Sequence, residues 1–334
     1  KELDYPVVFH IIQHKQLLPY SIGMPPVGSS SMGSGGFPRP PLPRWRPAFR
    51  HTGRAPVRTV VVGAAAASVS VALHHFSTAS SEALTQGQPQ TTRQERMARW
   101  MEGWTIGRTA FHKPNVNQTI LDNEKTWLGK KNFLTKAPTQ LRVLVPLCGK
   151  TVDMPYIAGL EQVGTVVGIE GVPLAVEQFL QENPQSEMKP CESSSSAFKV
   201  YKGNKLELYE GDFFELSPAT TEPFDRVWDR GSLVAVQPAL REKYVATLDA
   251  VLVPGATILF EGLHRKEGPE AACMKGPPWS VTEDDLKKLF EKRGYTIKKL
   301  SSKNILKEEQ YERFRSEGLT VMNQEAWLLT KPKK

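Results

Sequence analysis

Two short apolar runs end in residues that could hold a cofactor. The first, LRVLVP at 141–146, leads into Leu147-Cys148-Gly149-Lys150. Gly149 lets the backbone turn sharply and come close to a bound molecule. The second, GTVVGIE at 164–170, ends in Glu170, 21 residues after Gly149. A carboxylate there can accept two hydrogen bonds from a ribose diol. A pyrophosphate cradle wants the open loop G-x-G-x-x-G, and only one of those glycines is in place. The pattern favours S-adenosylmethionine, which has no phosphate, over NAD. A third group is Gly211-Asp212-Phe213-Phe214. Asp212 could take an adenine amino group with Phe213 on the ring. Equally, Asp212 could be a helix N-cap and Phe213 a core residue. Cys148 has no base beside it in the motif and reads as a packing residue.

These residues need elements to place them. Helices are expected over 91–103, 117–128, 152–162, 173–181, 238–252 and 282–293. Pro173 sits at a first helical turn, and Thr282 with Asp285 three residues on reads as an N-cap. Strands are expected over 141–146, 164–170, 198–202, 205–210, 224–228, 256–263, 295–301 and 325–330. Gly203-Asn204 marks a hairpin. Apolar strands alternating with helices predict a parallel sheet covered on both faces. Ligands bind such sheets at the carboxyl ends of the strands, where strand order reverses.

The charge of +8 on 334 residues is uneven. Residues 1–81 carry a net +6 and no acid between Asp4 and Glu82; the rest carries +2. The core therefore offers no electrostatic case for nucleic acid. Three dispersed cysteines and no Cys/His cluster argue against a disulfide scaffold and a zinc site. Residues 1–90 read as a disordered extension, rich in Arg, Ser, Ala and Pro, that serves as an organellar transit peptide. Met24 and Met32 are candidate starts within it. That composition places the protein in mitochondria, or in the cytoplasm if the extension is not translated. The apolar run 60–73 is shorter than the roughly 20 residues of a spanning helix, so no stable membrane insertion is expected.

Five motifs, in order, carry a resemblance over about residues 96–331. They are Trp100-x-x-x-Trp104-x-x-Gly107-x-Thr109-Ala110-Phe111-His112, Val145-Pro146-Leu147-Cys148-Gly149-Lys150, Val167-Gly168-Ile169-Glu170, Trp228-Asp229-Arg230-Gly231-Ser232-Leu233-Val234-Ala235, and Gly276-Pro277-Pro278-Trp279. The chain resembles the thiopurine S-methyltransferase family. The resemblance implies an α/β class I methyltransferase domain over 91–334. Its Rossmann-like fold has a seven-stranded, mostly parallel sheet with helices on both faces and an antiparallel last strand. It implies S-adenosylmethionine as cofactor, a small-molecule substrate, and a monomer. By resemblance, Trp100, Trp104, Phe111, Leu147, Gly149, Glu170, Asp212, Phe213 and Arg230 contact the donor. Phe111, Trp279 and Arg313 face the substrate, with Arg315 competing for the last role. Two positions depart from the family: Asp153 stands for Glu, and Asp212 for a small polar residue.

Methyl transfer from a sulfonium needs alignment and water exclusion more than a strong base, because a thiol of low pKa is already partly thiolate near neutral pH. Arg230 and Arg313 are expected to be catalytic, orienting an anionic or thiolate acceptor. The plainer role for Arg230 is an ion pair with Asp229 or Asp225. Trp100 and Trp104 are four apart and could equally be helix-face core. His112 reads as a structural hydrogen-bonder rather than a base. Trp279 could stiffen a lid or pack an ordinary loop. The expected activity is methyl transfer to the sulfur of a thiol or thiopurine-like acceptor. Halide, selenium or metalloid acceptors on the same fold are the alternative, and an NAD(P) oxidoreductase is disfavoured.

Overall fold

The computed structural model describes residues 92–129, 140–193 and 195–333. The expected extension 1–90, its address and the run 60–73 lie outside the described residues. No described helix is long and apolar enough to cross a membrane.

Among the described residues nine strands form one sheet, ordered β3-β4-β5-β2-β1-β6-β7-β9-β8. They are β1 Leu141–Pro146, β2 Val163–Glu170, β3 Lys189–Cys191, β4 Lys199–Lys202, β5 Leu206–Glu210, β6 Phe224–Arg230, β7 Leu252–Glu267, β8 Thr296–Asn304 and β9 Val321–Thr330. The pairs β1/β2, β1/β6, β2/β5 and β6/β7 are parallel. β9 runs antiparallel to β7 and β8. The seven strands from β5 to β8 are thus the expected class I sheet with one reversed strand. The hairpin partner β4, antiparallel to β5, and the short β3, antiparallel to β4, extend it at one edge; β3 was not foreseen.

β1 shows why its run is apolar throughout. Leu144 packs into the cluster on one face, while Val143 and Val145 pack into the cluster on the other. Side chains alternate between faces along a strand, so a strand covered on both sides has no polar position to spare. Burying each such side chain contributes about 1.5–3 kcal/mol.

The helices are α1 Arg93–Thr105, α2 Gln118–Leu128, α3 Asp153–Gly159, α4 Pro173–Glu182, α5 Arg241–Ala250, α6 Glu270–Met274, α7 Glu283–Phe290 and α8 Glu312–Ser316. α1 starts at a capping box in which the Thr92 hydroxyl accepts from Glu95 N–H and the Glu95 side chain accepts from Thr92 N–H. α7 has the same device at Thr282 and Asp285. α1 buries Trp104 against Val172 and Ala175, with Met97 and Trp100 at the margin. It thereby lies beside the end of β2.

Several boundaries moved for physical reasons. β7 and β9 run well past 256–263 and 325–330 because they pair with each other from Thr257↔Thr330 to Glu267↔Val321. The ladder carries them through polar residues that their local pattern marked as loop. The expected helix 238–252 begins as a 3-10 turn at Pro238–Leu240 and stops before Leu252, which opens β7. α6 and α8, each five residues long, are held by a separate cluster of Ala272, Ile305, Leu306, Phe314, Leu319 and Met322.

Candidate active site

The sheet reverses its winding at β1, between β2 and β6, and the motif residues gather at the carboxyl ends there. Leu147 and Gly149 both hold positive φ, 44° and 54°. For Leu147 that conformation costs about 1–3 kcal/mol, a strain kept only where surroundings enforce it. Cys148 N–H donates to Ile169 O at 3.0 Å, stitching the loop to β2. Glu170 Oε2 accepts Gly149 N–H and Oε1 accepts Val172 N–H, each at 2.8 Å. Burial pushes the Glu170 carboxyl up, and the amides of Val172, Gly149 and Gly171 oppose this. A carboxylate has about four lone-pair sites; the Gly149 and Val172 amides take two and the Gly171 amide also faces it, so Glu170 retains capacity for a hydroxyl donor. That capacity beside a sharply turned glycine loop fits a ribosyl group. Cys148 is fully enclosed, and desolvation and then the Glu170 charge push its thiol well up. It is a neutral packing group.

The end of α1 and the segment after it cover this loop. Phe111 meets Trp100 edge-on at 5.9 Å and Trp104 at 5.8 Å between ring centroids. A Cβ on Gly149 would lie 3.2 Å from the Trp104 indole, so glycine is needed for this approach as well as for its φ. Trp104 is buried, whereas Phe111 is 39% exposed. The two tryptophans therefore serve as helix-face packing and as cover over the loop together.

Arg230, at the end of β6, ties the cover down. Its Nη1 donates to Phe111 O, and its Nε lies 3.6 Å from Glu261 Oε1. The partner is neither Asp229 nor Asp225. Asp229 is buried and accepts from Tyr244 Oη at 2.7 Å and Leu233 N–H at 3.1 Å. Asp225 accepts Arg142 N–H. Glu261 also accepts from Thr119 Oγ1 at 2.5 Å and Asn117 Nδ2 at 3.0 Å. Sequence reasoning missed Glu261, although an acid inside the apolar run of β7 was a signal. Asp153 was noted only as a departure, yet both its oxygens are used, by Asn117 N–H at 2.8 Å and Trp228 Nε1 at 2.9 Å.

Cations crowd the mouth. Burial, then Lys150 and Arg230, lower the His112 pKa, against Glu182 and Asp153. Burial and then Arg230 lower that of Lys113. Lys113 Nζ donates to Gln310 Oε1 at 2.6 Å, linking the cover to the segment before α8. Carboxylates offset part of this charge: Lys150 pairs with Glu182 at 2.5 Å, Arg230 with Glu261, and Glu308 and Glu261 face Lys113.

The remaining residues sit less simply. Asp212 caps the 3-10 turn Phe213–Glu215, accepting Phe214 N–H at 3.0 Å. Its other oxygen pairs with Arg93 Nε at 3.0 Å. Phe213 is 2% exposed and stacks on Tyr244 at 4.6 Å. The N-cap and core roles are thus the ones in place. Arg313 pairs with Glu317 and lies 4.9 Å over the Phe314 ring; none of its contacts reaches Arg230. Arg315 is occupied by Leu306 O, Glu308 O and the Glu312 carboxylate, and is a strut of α8. Trp279 N–H donates to Val234 O at 2.7 Å. A Cβ on Gly276 would fall 2.3 Å from the Trp279 indole, so that turn requires glycine. Arg265, unnoticed in the sequence, donates to Lys275 O and Pro278 O and holds the turn from behind.

The family model described as Thiopurine S-methyltransferase (TPMT) matches residues 95–332. A thiopurine S-methyltransferase of Legionella pneumophila is 33% identical over 232 residues, covering 70% of this chain and 96% of the relative. One of Xanthomonas euvesicatoria pv. vesicatoria is 34% identical over 224 residues, covering 67% and 94%. Among solved structures, a 1,6-didemethyltoxoflavin-N1-methyltransferase of Burkholderia thailandensis matches with TM-score 0.44 and 16% identity, covering 73% of this chain and 92% of that one.

Proposed function

The chain belongs to the thiopurine S-methyltransferase family, S-adenosylmethionine-dependent methyltransferases, and we propose that its acceptor atom is the sulfur of a small thiol or thiopurine-like molecule. The observation that carries this is the make-up of the mouth. Phe111 and Trp100 supply an apolar wall, and Arg230, bonded to Phe111 O, and Lys113, bonded to Gln310, bring positive charge beside it. The carboxylates near it, Glu261 and Glu182, are held by Arg230 and Lys150, so neither is placed as a strong base. Cations beside an acceptor thiol favour its thiolate, which needs no base during transfer. The same charge would suit a halide, but the aromatic wall favours a flat organic acceptor.

In this reading Glu170 takes a ribose hydroxyl, the Leu147–Gly149 backbone lies along the donor, and Trp100, Trp104 and Phe111 cover it. When bound, S-adenosylmethionine supplies a methyl group on a positively charged sulfur, open to in-line displacement. Arg230 holds Phe111 through its main chain, so it orients the cover and presents its charge to the acceptor in one contact. Asp212 and Phe213 contribute through the wall behind the adenosyl group, and Arg313 lies at the outer rim. Trp104 and Phe111 exclude water, which strengthens every charge interaction inside. A screen with methyl-labelled donor against thiols, thiopurines, selenols, halides and arsenite tests the assignment. Labelled thioethers are expected; label appearing only in methyl halide or methylarsenic products refutes it.

A further inference from the structure

Glu261 is an acid in a place built like core. It is 7% exposed, and Leu259, two residues earlier on the same face of β7, packs into the cluster that holds Ile120 and Met154. We propose that Glu261 is the positioning residue for Arg230: fixed by the first turn of α2, it aims Arg230 at the Phe111 carbonyl and so holds the cover closed. The proposal rests on the reading of Arg230 as the residue that orients the cover, and is independent of which acceptor atom is methylated.

Every link of this relay is directed. Thr119 Oγ1 donates to Glu261 Oε2 at 2.5 Å, and Asn117 Nδ2 donates to Oε1 at 3.0 Å. Both donors are themselves held. Asn117 caps α2, its side chain accepting Thr119 N–H at 2.7 Å, while its own N–H goes to Asp153 Oδ1 at 2.8 Å. The other Asp153 oxygen takes Trp228 Nε1 at 2.9 Å, two residues before Arg230 on β6. Glu261 is thus clamped on the side away from Arg230. The parallel pairing of β6 and β7 sets Arg230 opposite Glu261, with Nε 3.6 Å from Oε1. Nη1 of the same guanidinium donates to Phe111 O. A guanidinium is a rigid planar fork, so holding Nε fixes where Nη1 points. Phe111 meets Trp100 and Trp104 edge-on, so its carbonyl determines where these rings lie over the Gly149 loop.

Stability alone does not call for an acid here. Replacing a buried ion pair by apolar groups of similar volume is often neutral or stabilising. What the carboxylate supplies and a leucine would not is direction. The cover has a second tether, from Lys113 Nζ to Gln310 Oε1 at 2.6 Å, so loss of the first should loosen it locally.

The test is a double-variant cycle of Glu261→Gln and Arg230→Ala, read by amide hydrogen exchange with S-adenosylhomocysteine bound. The N–H groups of Gly107, Arg108, Thr109 and His112 are bonded within the cover, so their exchange reports its opening. Glu261→Gln should speed them about five- to tenfold and leave β1 and β2 unchanged. In the Arg230→Ala background the same substitution should add less than about twofold, because the two residues act as one unit. Thr119→Val, which removes only the bond to Oε2, should speed the cover about two- to threefold and decides the matter if Glu261→Gln does not fold. Unchanged exchange, equal acceleration with and without Arg230, or acceleration spread evenly into β1 and β2 overturns the proposal. With 6-mercaptopurine and benzenethiol as acceptors, Glu261→Gln should lower kcat/KM about tenfold, and again hardly at all in Arg230→Ala. If neither thiol is methylated the thiol reading fails, and the exchange cycle alone decides the role of Glu261.

Discussion

Replacing Gly149 with alanine separates two demands made on one residue. Gly149 holds φ 54°, which costs an L residue about 1–2 kcal/mol. Its added Cβ would also lie 3.2 Å from Trp104 Cζ2 and 3.6 Å from Cη2. The indole must then shift a few tenths of an ångström inside a packed cluster, which adds about 1 kcal/mol, the low end for overpacking. Gly107 is the control. It holds φ 71°, and a Cβ there would meet nothing within 4 Å, so Gly107→Ala bears the first cost alone. In a domain of about this size, 1 kcal/mol moves Tm by about 2–4 °C. Gly149→Ala should lose about 4–12 °C and Gly107→Ala about 2–8 °C, with Gly149→Ala the lower by about 2–4 °C. Calorimetry should pair this with donor-site affinity, read by titrating S-adenosylhomocysteine. Gly149 N–H is a hydrogen-bond partner of the Glu170 carboxylate, so a displaced loop also turns Glu170. About a tenfold loss of affinity is expected in Gly149→Ala and under about threefold in Gly107→Ala. Equal Tm losses with equal affinities would refute the argument that Trp104 and Gly149 are shaped to each other.

Three further outcomes are expected. Arg230→Ala removes the bond to Phe111 O, a charge-assisted hydrogen bond of about 1.5–3 kcal/mol, so kcat/KM for the acceptor should fall about 10–150-fold; unchanged steady-state kinetics would exclude Arg230 from the site. Burial raises the Asp229 pKa to about 6, against hydrogen bonds from Tyr244, Leu233 and Ser232. Its folded-state pKa is above the ordinary aspartate value of 3.8, so its contribution to stability is full below pH about 4. It is lost as pH rises to about 6, by about 3 kcal/mol at most. Urea midpoints of wild type and Asp229→Asn should therefore diverge in slope between those pH values, and parallel profiles would contradict this. Residues 1–90 fused to a fluorescent reporter should carry it to mitochondria; a diffuse cytoplasmic signal would reject the address.

What the sequence disclosed was local. Leu141–Pro146 could be placed as a doubly covered strand because no position in it tolerates water. Gly149 and Glu170 could be paired because strand, turn, helix and strand fix their separation. Thr282 and Asp285 declared a helix start within four residues. Glu261 could not be placed in this way. It meets Arg230 only because β6 and β7 pair with Arg230 opposite Glu261, and it meets Thr119 across 142 residues. Arg265 was illegible because its partners are main-chain carbonyls of Lys275 and Pro278, which have no residue type to recognise. Phe213 was open to two roles until Tyr244 was seen beneath it. Arg313 was placed by likeness in a short helix, and Glu317 one turn on draws its charge aside.

The two rims of the nine-stranded sheet bear on how copies of this protein meet. An unpaired strand offers a row of open N–H and C=O groups to any other strand, and lysine or proline on the edge discourages it. β8 carries Lys298, Lys299 and Lys303, and β3 consists of Lys189, Pro190 and Cys191, all three exposed. Proline removes one donor from a row only three residues long. Sheet-to-sheet growth is therefore resisted at both ends by charge, by brevity and by a missing hydrogen. Among the described residues, edge-to-edge pairing between copies is thus disfavoured at both ends of the sheet, and a concentrated solution of the folded domain should resist fibrils.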